Sequence, residues 1–301
     1  MIKNNRIAII GAGKVAYSLT DSLIKSGFNI TSIISKNILS AKKLALKYKI
    51  KIFSNRLQDI PLDTNIFFIV VPDEQIKVID RKIAKLKYNF HESLFVHFSG
   101  SLNSSVLFHI MDKNGKAASF HIMQTFPSRT SIPIAGSFAA VESDNKSSRK
   151  TLFLIAKSLS LIPFRVQKEK KFLYHLAGVY ASNFFVGNIF IAGELFKTSG
   201  TKGIKFEKLI LPIVNSTLKN IINYGPLKSI SGPIERGELA TIKNHIAALH
   251  NTIEQPNAIL LNYIVQSLSL LTLIRQKTKQ LTKSQRNIQK YLKMELNNFR
   301  I

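Results

Sequence analysis

One glycine-rich segment near the start of the chain constrains the fold more than any other feature. The apolar run Arg6–Ile10 predicts a β-strand, and Gly-Ala-Gly-Lys-Val-Ala follows it directly and opens an amphipathic helix over 14–26. In this context Gly11 allows a tight turn, Gly13 lets the backbone approach a pyrophosphate, and Ala16 permits close helix–strand packing. The segment predicts a dinucleotide site, with an unliganded glycine turn as the alternative. The predicted cofactor residues here are Gly11, Ala12, Gly13, Lys14, Val15 and Ala16.

Short β-rich runs alternate with helical stretches up to about residue 168, after which only helical periodicity remains. The predicted strands cover 6–10, 29–35, 50–53, 65–71, 93–98, 117–121, 137–141 and 163–166. Such alternation indicates an α/β fold with a doubly wound, Rossmann-type parallel sheet. The later helices are predicted at about 172–199, 204–223, 235–251 and 256–275, with a basic tail helix to about 298. We therefore predict a nucleotide-binding domain over 1–168 and an all-helical substrate and dimerisation domain over 169–301.

The end of the second predicted strand distinguishes between the two nicotinamide cofactors. NAD sites usually place Asp or Glu there to hold the ribose 2′-hydroxyl, whereas this chain has Ser35-Lys36-Asn37. A hydroxyl followed by a cation suits a 2′-phosphate. We therefore predict NADP in preference to NAD, with Ser35 and Lys36 at the phosphate. The alternative is that Lys36 is simply one of 33 lysines.

Two further strand ends are predicted to line the same crevice, because ligands bind at the carboxyl ends of strands in open α/β sheets. Val71 and Pro72 are expected beside the nicotinamide ribose, while Asp73 is expected to cap the following helix. Ser99 and Gly100 follow the next strand and are expected to contact cofactor or substrate, with a simple turn as the alternative.

The net charge of +26, from 43 Lys and Arg against 17 Asp and Glu, raises the possibility of a polyanion partner. Nucleic-acid binders cluster such charge on one face, whereas these lysines are spread along the chain with one denser run over 277–290. We therefore predict no specific nucleic-acid partner. The chain has no cysteine, which excludes disulfides and thiolate chemistry. His245 and His250 lie five residues apart and share no helix face, so no metal site is predicted.

No signal peptide is evident, and the most membrane-like stretch, Leu176–Phe196, contains three polar residues. We interpret it as a helix buried in a protein core, and predict a soluble, cytoplasmic protein without membrane contact. The helices at 172–199 and 256–275 are more apolar than one small bundle requires. A homodimer formed through the helical domain is therefore expected.

Several segments together resemble the Rossmann-like proteins that carry a C-terminal domain of unknown function of the 2520 type. These segments are the Gly11–Ala16 loop, Val71-Pro-Asp73, His97-Phe-Ser-Gly100, His121-Ile-Met-Gln-Thr-Phe126, His175-x-x-Ala-x-x-x-Ala-Ser-Asn183, and Gly232-Pro-Ile-Glu-Arg-Gly-Glu238 with His245 after it. The plan is similar to pyrroline-5-carboxylate reductase, ketopantoate reductase and the β-hydroxyacid dehydrogenases. The chain departs from the family pattern at Ile122, where Pro is usual, and at Glu238, where Asp is usual.

The resemblance also implies roles for individual residues. By similarity to a Lys and Asn pair in the β-hydroxyacid dehydrogenases, His175 is the expected proton donor and Asn183 holds the substrate oxygen. His121 and Gln124 follow a sheet strand and are expected at the nicotinamide pocket, His121 as a further catalytic candidate. Arg236 suits a substrate carboxylate, or alternatively pairs with a neighbouring glutamate. Each of these residues has a structural role as its alternative.

These observations favour an NADP-dependent oxidoreductase that reduces a small carboxylate-bearing keto or imino substrate. Reduction needs a positioned hydride donor and a proton donor at the heteroatom. The alternatives are a non-catalytic nucleotide-binding regulatory or scaffold protein, which predicts a filled cleft, and a polyanion-binding protein, which predicts one contiguous basic face.

Overall fold

The computed structural model describes residues 4–252 and 256–298. Its centre is an eight-stranded sheet in the order β3-β2-β1-β4-β5-β6-β7-β8. The strands are β1 Arg6–Ile10, β2 Asn29–Ile34, β3 Ile52–Ser54, β4 Ile66–Ile69, β5 Leu94–His97, β6 Lys116–Ile122, β7 Phe138–Glu142 and β8 Ile162–Arg165. The predicted Rossmann-type sheet is confirmed, and each observed strand overlaps a predicted one.

The central strands are buried on both faces, which explains their continuous apolar runs. One face of the sheet is covered by α1 (Lys14–Lys25), α2 (Ile38–Lys47) and α5 (Lys146–Ser158). The other face is covered by α3 (Asp73–Ile83) and α4 (Phe108–Asp112). This three-layer arrangement leaves the carboxyl ends of the strands free of covering helices, so that edge is open to form a site.

One strand pair departs from the predicted parallel arrangement. β6 pairs antiparallel with β7, while β7 pairs parallel with β8. The last two strands therefore run opposite to β1–β6. A purely parallel sheet cannot be distinguished from this arrangement by hydrophobic pattern, because strands buried on both faces look alike in either direction.

After the sheet, the chain is helical as predicted, with more interruptions than the sequence indicates. The helices are α6 Lys171–Gly178, α7 Phe184–Thr198, α8 Phe206–Tyr224, α9 Pro226–Ser229, α10 Pro233–Arg236, α11 Leu239–Thr252, α12 Pro256–Thr278 and α13 Lys283–Asn298. A π-helical turn, Val179–Asn183, separates α6 from α7. Gly237 adopts a left-handed conformation and splits the predicted 235–251 helix into α10 and α11.

The chain divides into two compact units, Met1–Phe184 and Phe185–Ile301. The change from α/β to all-helical structure falls near residue 168, as predicted, since β8 ends at Arg165. The first unit nevertheless extends through α6, because side chains of that helix bond to the sheet edge. Residues 1–3, 253–255 and 299–301 of the predicted domains lie outside the described residues.

Two helical stretches in the described residues are long and apolar enough to cross a membrane by length and composition, Lys168–Thr198 and Ala258–Thr278. The expectation that the first is buried in a core is wrong within a single chain: no residue of α7 or α8 is buried. α12 differs, because Leu260, Ile264 and Leu271 belong to the core of the second unit. Low polarity therefore identifies a helix that needs covering, without showing what covers it.

Candidate functional site

A cleft of about 420 Å³ opens in the first unit at the carboxyl ends of β1, β4, β5 and β6. Apolar side chains such as Val70, Phe98 and Phe126 form much of its wall. Most of the predicted site residues of this unit line it, namely Gly13, Lys14, Val15, Val71, Pro72, Ser99, Gly100, His121, Gln124 and His175. A largely apolar pocket with a few convergent polar groups is the usual form of a small-molecule site.

The glycine-rich segment has the geometry that a dinucleotide requires. Gly11 has a φ of +116°, and a Cβ built there would collide with the backbone carbonyl of Val70. A Cβ at Gly13 would meet no atom within 4 Å, so the backbone is open to close approach by a ligand. Gly13 is also the N-cap residue of α1, and the first turn of this helix has neither a side-chain cap nor an acidic residue. The backbone N–H groups of this uncapped first turn fit a pyrophosphate.

Other predicted cofactor residues lie beside this loop rather than in the cleft wall. Ala12 and Ala16 are buried and pack in the core, as the helix–strand role requires. Ser35 is half-buried and its N–H donates to the Ser54 carbonyl, while Lys36 is exposed. Asn37 caps α2 through its side chain.

The turn Ser99–Leu102, which follows β5 and which we call the β5 turn, is held by a carboxylate. Ser99 Oγ donates to Asp73 Oδ2 at 2.7 Å, and Ser101 Oγ donates to the same oxygen at 2.8 Å. Ser99 Oγ also accepts from the backbone N–H of Leu102. The Asp73 side chain makes no cap on α3, contrary to expectation, because these serines use it. The hydroxyl of Ser99 therefore has a structural role, while its backbone lines the cleft.

Two imidazoles converge above Gly100. A Cβ built on Gly100 would lie 2.5 Å from His175 Nδ1 and 2.8 Å from His121 Nε2. The two rings are 6.0 Å apart and nearly perpendicular. The imidazole of His175 makes no hydrogen bond within residues 4–252 and 256–298, so its ring nitrogens are available to a ligand. Glycine is thus the one residue type that leaves room for both rings at position 100.

The hydroxyl of Tyr174 is hydrogen-bonded to the His121 ring. The phenol oxygen lies 2.9 Å from His121 Nδ1. Burial raises the pKa of Tyr174 to about 12, and burial together with the positive charge of Lys171 lowers the pKa of His121 to about 4. Both groups are therefore neutral near pH 7. The direction of this hydrogen bond depends on the tautomer of His121: with the phenol as donor to Nδ1, the ring carries its proton on Nε2, at the cleft.

His97 is a second neutral histidine, fully buried at the end of β5. Its Nε2–H donates to the Asn103 carbonyl at 3.1 Å, and its Nδ1 accepts from the Ser99 N–H at 3.3 Å. Burial, followed by the charge of Lys171, lowers the pKa of His97 to about 3. Protonation would also turn Nδ1 into a donor facing another donor. His97 therefore holds the first residue of the β5 turn and the residue that directly follows the turn.

Lys171 lies beneath the β5 turn with only 1% of its surface exposed. Its Nζ donates to the carbonyls of Ser99 and Leu102, each at 2.5 Å. Burial lowers the pKa of Lys171 to about 8, and the carboxylates of Glu142 and Asp73 oppose that shift. The side chain is therefore mostly an ammonium ion at neutral pH.

Two predicted substrate residues are less well placed. Gln124 is exposed and uses its amide locally, since Oε1 accepts from the Thr125 N–H and Nε2 donates to Ser137 Oγ. Asn183 is exposed and is not among the residues that line the cleft. The π turn adds one residue to the helix, which brings Asn183 closer to the angular position of His175 but leaves it roughly 12 Å further along the axis. Its predicted substrate contact stays a prediction.

Arg236 and His245 belong to the second unit. Arg236 is exposed at the end of α10 and binds Glu238 through both Nε and Nη2, at 2.6 and 3.2 Å. This favours the alternative of a structural pair over a carboxylate site. His245 Nδ1 lies 2.9 Å from the Tyr263 hydroxyl. Among the described residues no group of three His, Asp or Glu side chains could hold a metal ion.

The sequence reasoning missed Lys171 and Tyr174, although the spacing contains the signal. Residues three and four apart share a helix face, so Lys171, Tyr174 and His175 lie together on α6. Lys171 was hidden among many lysines. Tyr174 lies in the apolar helix predicted at 172–199, where a tyrosine resembles a core residue unless a polar partner is expected.

The comparisons with known proteins agree with this geometry. Residues 6–98 match the family described as NADP oxidoreductase, coenzyme F420-dependent. Residues 137–264 match the family described as domain of unknown function DUF2520. The resemblance drawn from the sequence is thereby confirmed, while no curated protein matches.

Solved structures share the fold over most of their length. A candidate NADP oxidoreductase from Bacteroides fragilis is 25% identical, with a TM-score of 0.77, and the match covers 90% of this chain and 99% of that one. A reductive aminase from Aspergillus terreus, in complex with NADPH and ethyl levulinate, has 13% identity and a TM-score of 0.62, with 88% and 94% covered. A pyrroline-5-carboxylate reductase from Coxiella burnetii has 13% identity and a TM-score of 0.55, with 88% and 97% covered.

Proposed function

We propose that this protein is an NADPH-dependent reductase of a small keto or imino compound, with carboxylate-bearing compounds as the narrower substrate class. The observation that carries the proposal is the convergence of His175 Nδ1 and His121 Nε2 above Gly100, in a cleft that also contains the dinucleotide loop. The resemblance to a reductive aminase and to a pyrroline-5-carboxylate reductase supports the same reaction class.

The chain offers distinct groups for each part of NADPH. The open backbone of Gly13 and the first turn of α1 fit the pyrophosphate. Val71 and Pro72, at the end of β4, fit the nicotinamide ribose. Ser35 and Lys36, at the end of β2, fit the 2′-phosphate.

A second cation lies close to the proposed 2′-phosphate position. Arg129, in the connection from β6 to β7, donates through Nη1 to Ser40 Oγ at 3.2 Å. Ser40 lies in the first turn of α2, three residues after Asn37. Arginine binds phosphate oxygens with well-defined geometry. Arg129 therefore supports the preference for NADP over NAD, together with the missing acid after β2.

NADPH, when bound, supplies a hydride to the electrophilic carbon of a C=O or C=N group. The electron pair of that double bond moves to the heteroatom, which must then be stabilised and protonated. The Nε2–H of His121 is a neutral donor held in one orientation by Tyr174. It is suited to bind the heteroatom, as preorganised donors do where negative charge develops.

His175 is suited to deliver the proton. It is half-buried and free of hydrogen bonds within the described ranges, so it can exchange protons with solvent. Histidine has the chemistry for proton transfer near neutral pH. In this scheme His121 binds the heteroatom and His175 protonates it, which separates two roles that the sequence left undivided.

The non-catalytic scaffold predicts a cleft filled by side chains. The cleft instead has a volume of about 420 Å³, and the imidazoles of His121 and His175 line it without filling it, which favours the reductase.

The first experiment is a titration with NADPH and NADH at physiological salt, followed by nicotinamide fluorescence. We expect NADPH to bind more tightly, and Lys36→Glu and Arg129→Ala each to weaken NADPH binding by about tenfold with little effect on NADH, since a charge-assisted hydrogen bond is lost. Lys51→Glu is the matched control, because Lys51 is also exposed. A screen of keto and imino compounds, with and without a carboxylate, then tests turnover. Binding of neither nucleotide would refute the proposal.

We also propose that the protein is soluble and that a second copy of the chain covers the exposed apolar helices. α7 and α8 expose large apolar side chains, including Val186 and Phe190 at 66% and 67%. Patches of this kind mark interaction surfaces. A detergent-independent dimer in light scattering would support this assignment, whereas partition into lipid vesicles would favour a membrane role.

A further inference from the structure

The ammonium group of Lys171 is placed where most folds keep lysine away. Lysine is almost never fully buried without a partner, and here the side chain is 1% exposed. In the described residues no carboxylate forms a salt bridge with it. Its hydrogen-bond partners are instead two backbone carbonyls, those of Ser99 and Leu102. These carbonyls are the two ends of the β5 turn.

The same turn is held from its other side. Asp73 binds the hydroxyls of Ser99 and Ser101, so a cation holds the carbonyls and an anion holds the side chains. Gly100 lies between these attachments, and both imidazoles of the cleft approach it. A shift of the turn by a few tenths of an ångström would change the space beneath the imidazoles, because a Cβ there already has no room.

On these grounds, and resting on the proposed function, we propose that Lys171 is a positioning residue of the reductase: its ammonium holds the β5 turn beneath the two imidazoles and acts through its charge on His121. Lys171 does not touch the cleft. It acts through the turn and through its charge, and the reactive groups remain His121 and His175.

The electrostatic part follows from the charged groups around Lys171. Glu142 on β7 and Asp73 on α3 favour the ammonium form of Lys171. The charge of Lys171 in turn lowers the pKa values of His97 on β5 and His121 on β6, and His175 on α6 also lowers that of His121. Of the charges acting on His121, that of Lys171 has the largest effect and lowers its pKa. Asp73 acts in the opposite direction with less effect, and it is exposed.

A neutral His121 matters for the chemistry. A protonated ring would donate at Nδ1 as well, so Nδ1 could no longer accept from the Tyr174 hydroxyl and the hydrogen bond would have to reverse. Burial of the ring disfavours this protonated form most, and the charge of Lys171 disfavours it further. A neutral amide in place of Lys171 could bind one of the carbonyls, but it would not supply this charge.

The test compares Lys171→Met and Lys171→Arg with the control Lys170→Met, whose side chain is exposed one residue earlier. The His121 ring is followed by NMR as a function of pH in cofactor-free protein. We expect its pKa to rise by about one unit in Lys171→Met, to stay low in Lys171→Arg, and to be unchanged in the control. NADPH affinity should fall in Lys171→Met because the β5 turn loosens. An unchanged His121 pKa in a folded Lys171→Met protein would overturn the proposal.

A measurement on the wild type covers the case in which Lys171→Met does not fold. The Nζ resonance of Lys171 should be protected from exchange and should titrate near pH 8. Titration near 10.5, with rapid exchange, would show an exposed side chain and refute the proposal. Failure of the wild type to bind NADPH would refute the proposed function alone, since the His121 and Lys171 measurements need no cofactor.

Discussion

The successive helices α6 and α7 differ in what they bury. α6 turns Lys171 and the rings of Tyr174 and His175 toward the sheet edge and leaves Phe172 and Leu173 exposed at 67% and 66%. α7 is more apolar and buries nothing within the chain. The inward face of α6 is therefore determined by hydrogen-bond partners, while α7 packs against Phe206 of α8 and leaves other large apolar side chains exposed. Apolar content alone describes neither helix correctly.

The polar face of α6 is expected to give the largest effect when it is removed. His175→Ala should lower kcat by about 10²- to 10⁴-fold, because general acid catalysis contributes about that much. NADPH affinity should change little. The measurement is single-turnover oxidation of NADPH with a substrate found in the screen. His91→Ala, at an exposed site, is the control. A His175→Ala enzyme with full kcat would show that α6 faces inward for structural reasons only.

Acid should weaken the sheet edge before it affects the helices of the second unit. The folded-state pKa of His97 is about 3, well below its unfolded value, so its contribution to stability is complete above about pH 6.5 and is lost as pH falls. Between pH 6.5 and 4.5 the loss from His97 alone is about 2 kcal/mol, since each full unit of pKa shift corresponds to about 1.4 kcal/mol and the unfolded histidine is only half-protonated at pH 6.5.

Urea unfolding at a series of pH values checks this expectation. His97→Gln retains a donor for the Asn103 carbonyl but cannot titrate, so its stability should depend less steeply on pH than that of the wild type. Equal pH dependence in both proteins would assign the acid sensitivity to other groups.

The apolar face of α7 gives the next effect. Val186→Glu combined with Phe190→Glu should weaken self-association by at least about thirtyfold, because charged groups are costly to bury. Light scattering over a range of concentrations measures it. Leu62→Glu is the matched control, since Leu62 is 72% exposed on the first unit. A wild type that stays monomeric at high concentration would remove the second copy from the account of α7.

Arg236 should give the smallest effect. Its guanidinium is already occupied by Glu238, so Arg236→Ala should change KM for a carboxylate substrate by less than about twofold. Steady-state kinetics with the substrate found in the screen tests this. A tenfold rise in KM that is absent for a substrate without a carboxylate would restore the role predicted from the sequence.

The sequence predicted the sheet well because its strands are buried on both faces and are separated by glycine and polar turns. It predicted the glycine-rich turn because the positive φ of Gly11 is a local backbone requirement, although the contact with the Val70 carbonyl that also excludes a side chain there is not local. It failed where roles depend on partners distant along the chain. Asp73 holds serines 26 and 28 residues away rather than its own helix. Lys171 binds carbonyls about 70 residues earlier, which no local pattern shows.

The reversal between β6 and β7 has a consequence for how the cleft is supplied with residues. If β7 were parallel to β6, a crossover would have to carry the chain back to the amino ends of the strands, away from the cleft. Because β7 is antiparallel, residues 123–137 leave and re-enter the sheet at the edge where the cleft opens. The segment has length to spare, and it reaches α1 through the bond from the Ile132 N–H to Ser18 Oγ, and α2 through Arg129. A single change of strand direction thus places a long connection beside α1 and α2, the two helices that flank the proposed cofactor site.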